Sequence, residues 1–188
     1  MIRKAVTDDL NELCRIADEG KRQLKNLGID QWQKGYPNRE IWEDDVAKGL
    51  AWVAEEEGRV VAAFTLLTEP EPSYDVINGA WLTGDIREYA SLHRVCVADE
   101  AKGRGIAGEL FAFSIQKTRE LSLPSLRIDT HPGNVPMRRA VEKAGFVFCG
   151  DIRIVGGSED GGIRVAYELL ATLTDDNAAA ASKRMRSL

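Results

Sequence analysis

A β-branched run ends at Val97, and three glycines, Gly103, Gly105 and Gly108, then lead into the apolar positions Leu110, Phe111 and Ile115. This stretch, Val95-Cys-Val-Ala-Asp-Glu-Ala-Lys-Gly-Arg-Gly-Ile-Ala-Gly108, constrains the fold more than any other. A strand, a glycine turn and a helix start in succession make a site for a phosphate. The first turn of a helix carries unpaired N–H groups and the positive end of the helix dipole. Glycines let an anion reach the backbone with no Cβ in the way. A phosphorylated ligand is therefore expected.

The rest of the chain narrows the class. A length of 188 residues suits one domain with a full core. A net charge of −5, with no dense basic block before the tail, argues against nucleic acid as a partner. Cys14, Cys96 and Cys149 are widely spaced and form no CxxC pair, so no metal site is expected, and a reducing cytoplasm suits them. Residues 1–6 read as a strand rather than a signal peptide, and no apolar run reaches transmembrane length, so no membrane partner is expected.

The element pattern is mixed. A strand over 2–6 is followed by Thr7 as a helix cap and a stripe of Leu10, Leu13, Cys14, Ile16 and Ala17 up to about Leu24. Residues 26–38 read as a loop. Asn38 caps a second helix with Ile41, Trp42, Val46 and Leu50 on one side. Strands over 51–54 and 60–67 form a hairpin, and 69–90 is a long irregular connection with Trp81 and Leu82 as candidate buried residues. Then come a strand over 92–97, a glycine-initiated helix over 103–121, a strand over 126–130 and a helix over 134–144 closed by Gly145. A final hairpin spans 146–155 and 163–170. The domain is expected to occupy residues 1–170, with 171–188 as a frayed tail. Hairpins beside βα units give an α/β chain of α+β type with a mixed sheet.

Three phosphate ligands compete for the glycine turn. Gly103-x-Gly-x-x-Gly108 spells the dinucleotide fingerprint, and Asp129 closes the next strand where a ribose-binding acid belongs. That fingerprint needs the turn directly against its strand, and here Ala98–Lys102 intervene. A triphosphate loop needs Lys and Ser/Thr where Glu109 and Leu110 stand.

The third comes by resemblance. Lys102-Gly-Arg-Gly-Ile-Ala107 resembles the Gln/Arg-x-x-Gly-x-Gly/Ala signature of the GNAT superfamily N-acetyltransferases. Asp129-Thr-His-Pro-Gly-Asn134 and Val141-Glu-Lys-Ala-Gly-Phe146 resemble that family's second block, and Arg94-Val-Cys-Val97 and the element order agree. The resemblance implies a strongly twisted mixed sheet with flanking helices, splayed between the 92–97 and 126–130 strands, and acetyl-coenzyme A in the wedge. It assigns the pyrophosphate to Lys102, Gly103, Arg104, Gly105, Ile106, Ala107 and Gly108. The pantetheine arm is assigned to the edge of Val95, Cys96 and Val97 and to Asn134.

Acetyl transfer needs a neutral amine, so a base must take a proton. Asp129 matches a position that holds a glutamate base in some relatives. His93, beside the wedge, has an ordinary pKa suited to proton transfer. Val141 stands where many relatives carry the tyrosine that protonates the leaving thiolate, so no general acid is assigned. The loop between the first two helices flanks the acceptor in this family. There Trp32 and Tyr36 are positioned to stack on an amine and Asp30 to attract it. A small-molecule amine or amino acid is the expected acceptor. The alternatives are a protein N-terminus or lysine, or a coenzyme-A-binding regulatory module without turnover. A homodimer is left open.

Overall fold

A computed structural model describes residues 1–171. Its strands are β1 (Ile2–Lys4), β2 (Ala51–Glu56), β3 (Arg59–Leu67), β4 (Ile77–Gly79), β5 (Ala90–Val97), β6 (Ser125–Thr130), β7 (Val147–Arg153) and β8 (Ile163–Leu170). Its helices are α1 (Leu10–Asn26), α2 (Arg39–Ala47), α3 (Ile106–Glu120) and α4 (Val135–Lys143). The eight strands form one sheet in the order β1-β2-β3-β5-β6-β8-β7-β4. Every neighbouring pair is antiparallel except β5 and β6, which are parallel.

The parallel pair creates the site. β5 and β6 are in register only at Ala90–Leu126, Ser91–Arg127 and Leu92–Ile128. Beyond that point β3 keeps hold of β5 as far as Val97, and β8 keeps hold of β6 as far as Thr130. The two half-sheets part, and a wedge opens between them. A bulge re-aims β5 at its mouth: Arg94 and Val95 together stand opposite Phe64, and Arg94 has φ of 55°.

Strand alternation assigns the faces. Phe64 packs edge-on against Phe113 of α3, while its neighbour Thr65 donates a hydrogen bond to Asp45 of α2 at 2.7 Å. So α1 and α2 cover one face and α3 the other. Leu13, Ile16 and Trp42 seal the first face; Leu110, Phe111 and Val141 are fully buried against the second.

Several local expectations are corrected. The third helix begins at Ile106, not at 103, because Gly103 and Gly105 take left-handed backbone angles of 74° and 89°. Thr7 starts a short 3-10 turn rather than capping α1; the Asp9 carboxylate instead accepts from the Val6 amide at 2.8 Å and from Arg3. Leu50 lies beyond α2, in the turn into β2. Asn38 does cap α2, accepting from the Ile41 amide at 3.0 Å.

The 69–90 connection carries more structure than expected. A 3-10 turn at Pro72–Tyr74 precedes β4, which joins the free edge of β7. That pairing brings main chains so close that a Cβ on Gly79 would sit 2.1 Å from the Cys149 carbonyl oxygen. Only glycine fits there. Trp81 is buried and Leu82 half-buried. Of the expected tail, 171–188, Ala171 is buried and its amide donates to the Pro124 carbonyl at 2.9 Å; residues 172–188 lie outside the described residues.

Candidate active site

One cavity of about 790 Å³ runs through the wedge, from the glycine turn to the loops above Asp129. Its two ends are built differently.

At the first end the lining is main chain. Gly105 is the N-cap of α3, and nothing lies within 4 Å of a Cβ placed at Gly103, Gly105 or Gly108. Among the described residues, the amides of Gly103, Gly105, Ile106, Ala107 and Gly108 have no acceptor. Five unpaired donors at the positive end of a fifteen-residue helix form a nest for an anion. The turn is held from below, where the Asp99 amide donates to Glu19 of α1 at 2.8 Å. Next to it, Val95, Cys96 and Val97 line the cavity with the β6-facing edge of their strand open. An extended ligand arm can pair there as an added strand. The Cys96 side chain takes no part: it is buried, its thiol is pushed up to about 12 by burial, and it points at the Ala63 carbonyl.

At the other end the lining is side chain. Asp129 faces the cavity from β6 and is pushed up to about 6, chiefly by burial. Tyr74 donates to its Oδ1 at 2.8 Å, which restrains that rise. His93 lines the same space, but burial and then Arg94 push it down to about 3, so it is neutral and a weak base. Trp32 and Tyr36 pack edge-to-face with centroids 6.5 Å apart and both line the cavity. Tyr36 accepts from Arg94 at 2.5 Å, and Arg94 also clamps both oxygens of Asp45 at 2.8 Å. The Trp32 amide donates to Glu159 at 3.0 Å, and Glu159 is paired with Arg164 at 2.5 Å. The 156–162 loop is thereby fastened across the cavity to the 26–38 loop.

The acetyltransferase (GNAT) family model matches residues 10–146. The chain belongs to the GNAT acetyltransferase family. A GNAT-family acetyltransferase from Streptococcus agalactiae 2603 is 32% identical, with a TM-score of 0.82 over 90% of this chain and 94% of that one. A GNAT-family acetyltransferase from Listeria monocytogenes 4b F2365 is 21% identical, with a TM-score of 0.67 over 90% and 94%. A ribosomal-protein-alanine N-acetyltransferase from Brucella melitensis is 23% identical, with a TM-score of 0.64 over 90% and 99%. The last two likenesses speak to the fold alone. A search of curated proteins finds no match. The family uses acetyl-coenzyme A as co-substrate, and the acetyltransferase fold explains the wedge and its glycine turn together.

The sequence-based site residues fall into two groups. Lys102, Gly103, Gly105, Ile106, Ala107, Gly108, Val95, Cys96, Val97, Asn134, Asp129, His93, Trp32 and Tyr36 all border this acetyltransferase's cavity. Asn134 does so while capping α4: its side chain accepts from the Met137 amide at 3.3 Å and donates to Thr130 at 3.2 Å. Arg104 does not line the cavity; its guanidinium turns to Glu56 at 2.7 Å. Asp30 is also outside, its side chain 79% exposed and 3.5 Å from His131. It sits on the outer side of the loop whose inner side carries Trp32, so it is poorly placed to draw an amine into the cavity. Val141 is buried in the core and carries no proton to give.

Tyr74, Glu71, Ser73, Glu159 and Arg164 were missed. The first three lie in the irregular connection, where periodicity is silent. Aromatic density was the available signal: Tyr74, Trp81 and Tyr89 are all buried in a Pro- and Gly-rich segment that composition alone labels a surface loop. Arg127 in an apolar strand was another. Its guanidinium lies between Trp81 and Tyr89, 4.1 and 3.9 Å from the ring centroids, and donates to buried Glu168 at 2.9 Å. Glu168 in turn accepts from Ser125 at 2.6 Å and Thr83 at 2.7 Å. This satisfied buried network fixes the connection that delivers Tyr74, whose carbonyl accepts from Trp81 at 3.1 Å.

Proposed function

We propose that this acetyltransferase moves the acetyl group of acetyl-coenzyme A to a primary amine of a small molecule by direct transfer, with Asp129 as general base. One observation carries the reading. A single cavity joins a nest of unpaired backbone amides at Gly103–Gly108 to a half-buried carboxylate whose pKa, about 6, lies just below neutral pH.

The residues fit the co-substrate. The amides of Gly103, Gly105, Ile106, Ala107 and Gly108 hold the pyrophosphate, and the open edge of Val95–Val97 takes the pantetheine arm. Acetyl-coenzyme A supplies an acetyl group already activated as a thioester. Asp129 Oδ2 accepts the proton of the incoming ammonium, while Tyr74 holds Oδ1 and favours the ionised form. The amine nitrogen then bonds to the acetyl carbon and the carbon–sulfur bond breaks; the nitrogen gives up its second proton to solvent, and the thiolate takes one from solvent. Asp129 returns its own proton to solvent. His93, neutral at physiological pH, serves as a wall that stacks on Tyr74. The 26–38 and 156–162 loops, pinned together by Glu159, roof the acceptor space and favour a small acceptor over a folded protein surface.

Calorimetric titration with acetyl-coenzyme A, followed by thiol release across an amine panel, tests this. Binding together with amine-dependent release is expected. Binding without release for every amine would leave a coenzyme-A-binding module instead.

A further inference from the structure

The acceptor end of the cavity has an uneven charge inventory. Four ionised side chains in or beside it neutralise one another: Arg94 with Asp45, and Arg164 with Glu159. Both arginines are therefore already paired with a carboxylate. Arg94 also donates to Tyr36, and Arg164 to the Ile163 carbonyl at 2.9 Å.

Two carboxylates are left over. Asp129 Oδ2 accepts no hydrogen bond among the described residues; Arg164 acts on it only through space. Glu71 is held through one oxygen, which accepts from the Ser73 amide at 3.1 Å and the Ser73 hydroxyl at 2.9 Å. Its other oxygen has His93 Nε2 at 3.8 Å as its nearest basic neighbour, and that ring is neutral. Glu71 and Asp129 line the same cavity, with Tyr74 and His93 stacked beside them at 6.2 Å between centroids. A carboxylate turned into a cavity without a counter-ion is costly unless a ligand brings one.

We propose that the acceptor is a dication, a diamine or polyamine whose second ammonium sits on Glu71 while its first gives a proton to Asp129. This rests on the acetyltransferase reading of the cavity. An acceptor with one ammonium leaves Glu71 unpaired once Asp129 is served. An amino acid is worse, because its carboxylate meets Glu71 while both arginines are already paired with Asp45 and Glu159. The reaction yields a mono-acetylated amine that still carries one ammonium, and coenzyme A as the free thiol.

The test is kcat/KM by thiol release at pH 8 for 1,3-diaminopropane, 1,4-diaminobutane and 1,5-diaminopentane. Each is set against the monoamine and the ω-amino acid of equal chain length. The best diamine is expected to exceed its monoamine about tenfold or more, as one charge-assisted contact implies. The ω-amino acid should rank last. In Glu71→Gln, whose amide oxygen still accepts from Ser73, the diamine-to-monoamine ratio should fall to near one. Acetyl-coenzyme A affinity, measured in parallel, reports that the variant is folded. A monoamine or amino acid matching its diamine overturns the proposal, as does a ratio that survives Glu71→Gln. If acetyl-coenzyme A binds and no amine releases thiol, the dication proposal falls and the co-substrate assignment stands. If acetyl-coenzyme A does not bind, the underlying reading of the cavity has failed.

Discussion

The glycine-turn end of the cavity is made of main chain from one contiguous stretch, Val95 to Gly108, whereas the Asp129 end gathers side chains from five separate segments. Trp32 and Tyr36 come from one loop, Glu71 from another that also carries Tyr74, the hydrogen-bond partner of Asp129, His93 from β5, Asp129 from β6, and Glu159 and Arg164 from the last hairpin. The difference teaches where change is tolerated. A backbone nest needs only a phosphate-sized gap and the left-handed angles of its glycines. A side-chain site keeps its geometry only while every supporting segment stays in place.

The strongest break of this comparison is Gly105→Trp. A large side chain at φ of 89° strains the turn and fills the space before the amides. Acetyl-coenzyme A binding should weaken by about a hundredfold. Unchanged affinity by titration would move the pyrophosphate elsewhere.

Tyr74→Phe should separate the ends more finely. It removes one hydrogen bond to the Asp129 carboxylate, so the base's pKa rises above about 6. The rate at pH 7 should drop about threefold to tenfold and recover near pH 9, because a charge-assisted hydrogen bond is worth roughly one to two pKa units. Acetyl-coenzyme A affinity should not change. An unshifted acid limb would mean that Tyr74 does not act on the base.

Glu159→Gln should have a smaller effect. The amide oxygen still accepts from Trp32, but Arg164 loses its partner. The acceptor KM should rise about threefold, and carboxylate-bearing amines should improve relative to wild type. Identical acceptor preferences would show that the Glu159–Arg164 pair lies outside the substrate's reach.

The smallest effect concerns stability. The folded pKa of Asp129, about 6, lies above its unfolded value of 3.8, so ionising it in the folded state costs stability. The cost is absent below about pH 4, grows as pH rises to 6, and is constant above that. Asp129→Asn, whose oxygen still accepts from Tyr74, should be more stable than wild type above pH 6, by on the order of 2 kcal/mol. The two melting curves should converge near pH 4. A gap that widens toward acid would contradict the sign.

Legibility in the sequence followed the same division. The glycine turn, its strand and its helix are local in the chain, so spacing alone revealed them, save for the helix start, which the left-handed Gly103 and Gly105 delay to Ile106. The mixed sheet and its splay followed from the family resemblance rather than from any single residue. Asp129 was legible from the motif position it shares with the resembled family, at the end of the strand after the glycine helix. Glu71 and Tyr74 were not, because nothing periodic marks residues 69–90. Their placement depends on Arg127, Glu168 and two aromatic rings that meet only in three dimensions. Asp30 lies outside the cavity for the converse reason: local sequence gave its loop but not the direction in which the loop's faces turn.

The central claim is that one end of the cavity binds and the other reacts. Kinetics and acetyl-coenzyme A titration of Asp129→Asn test it most directly. The account predicts a fall in kcat of about a hundredfold or more, as expected for a lost general base, with an unchanged Kd for acetyl-coenzyme A. A wild-type rate at every pH, or a Kd that weakens in step with kcat, would contradict it.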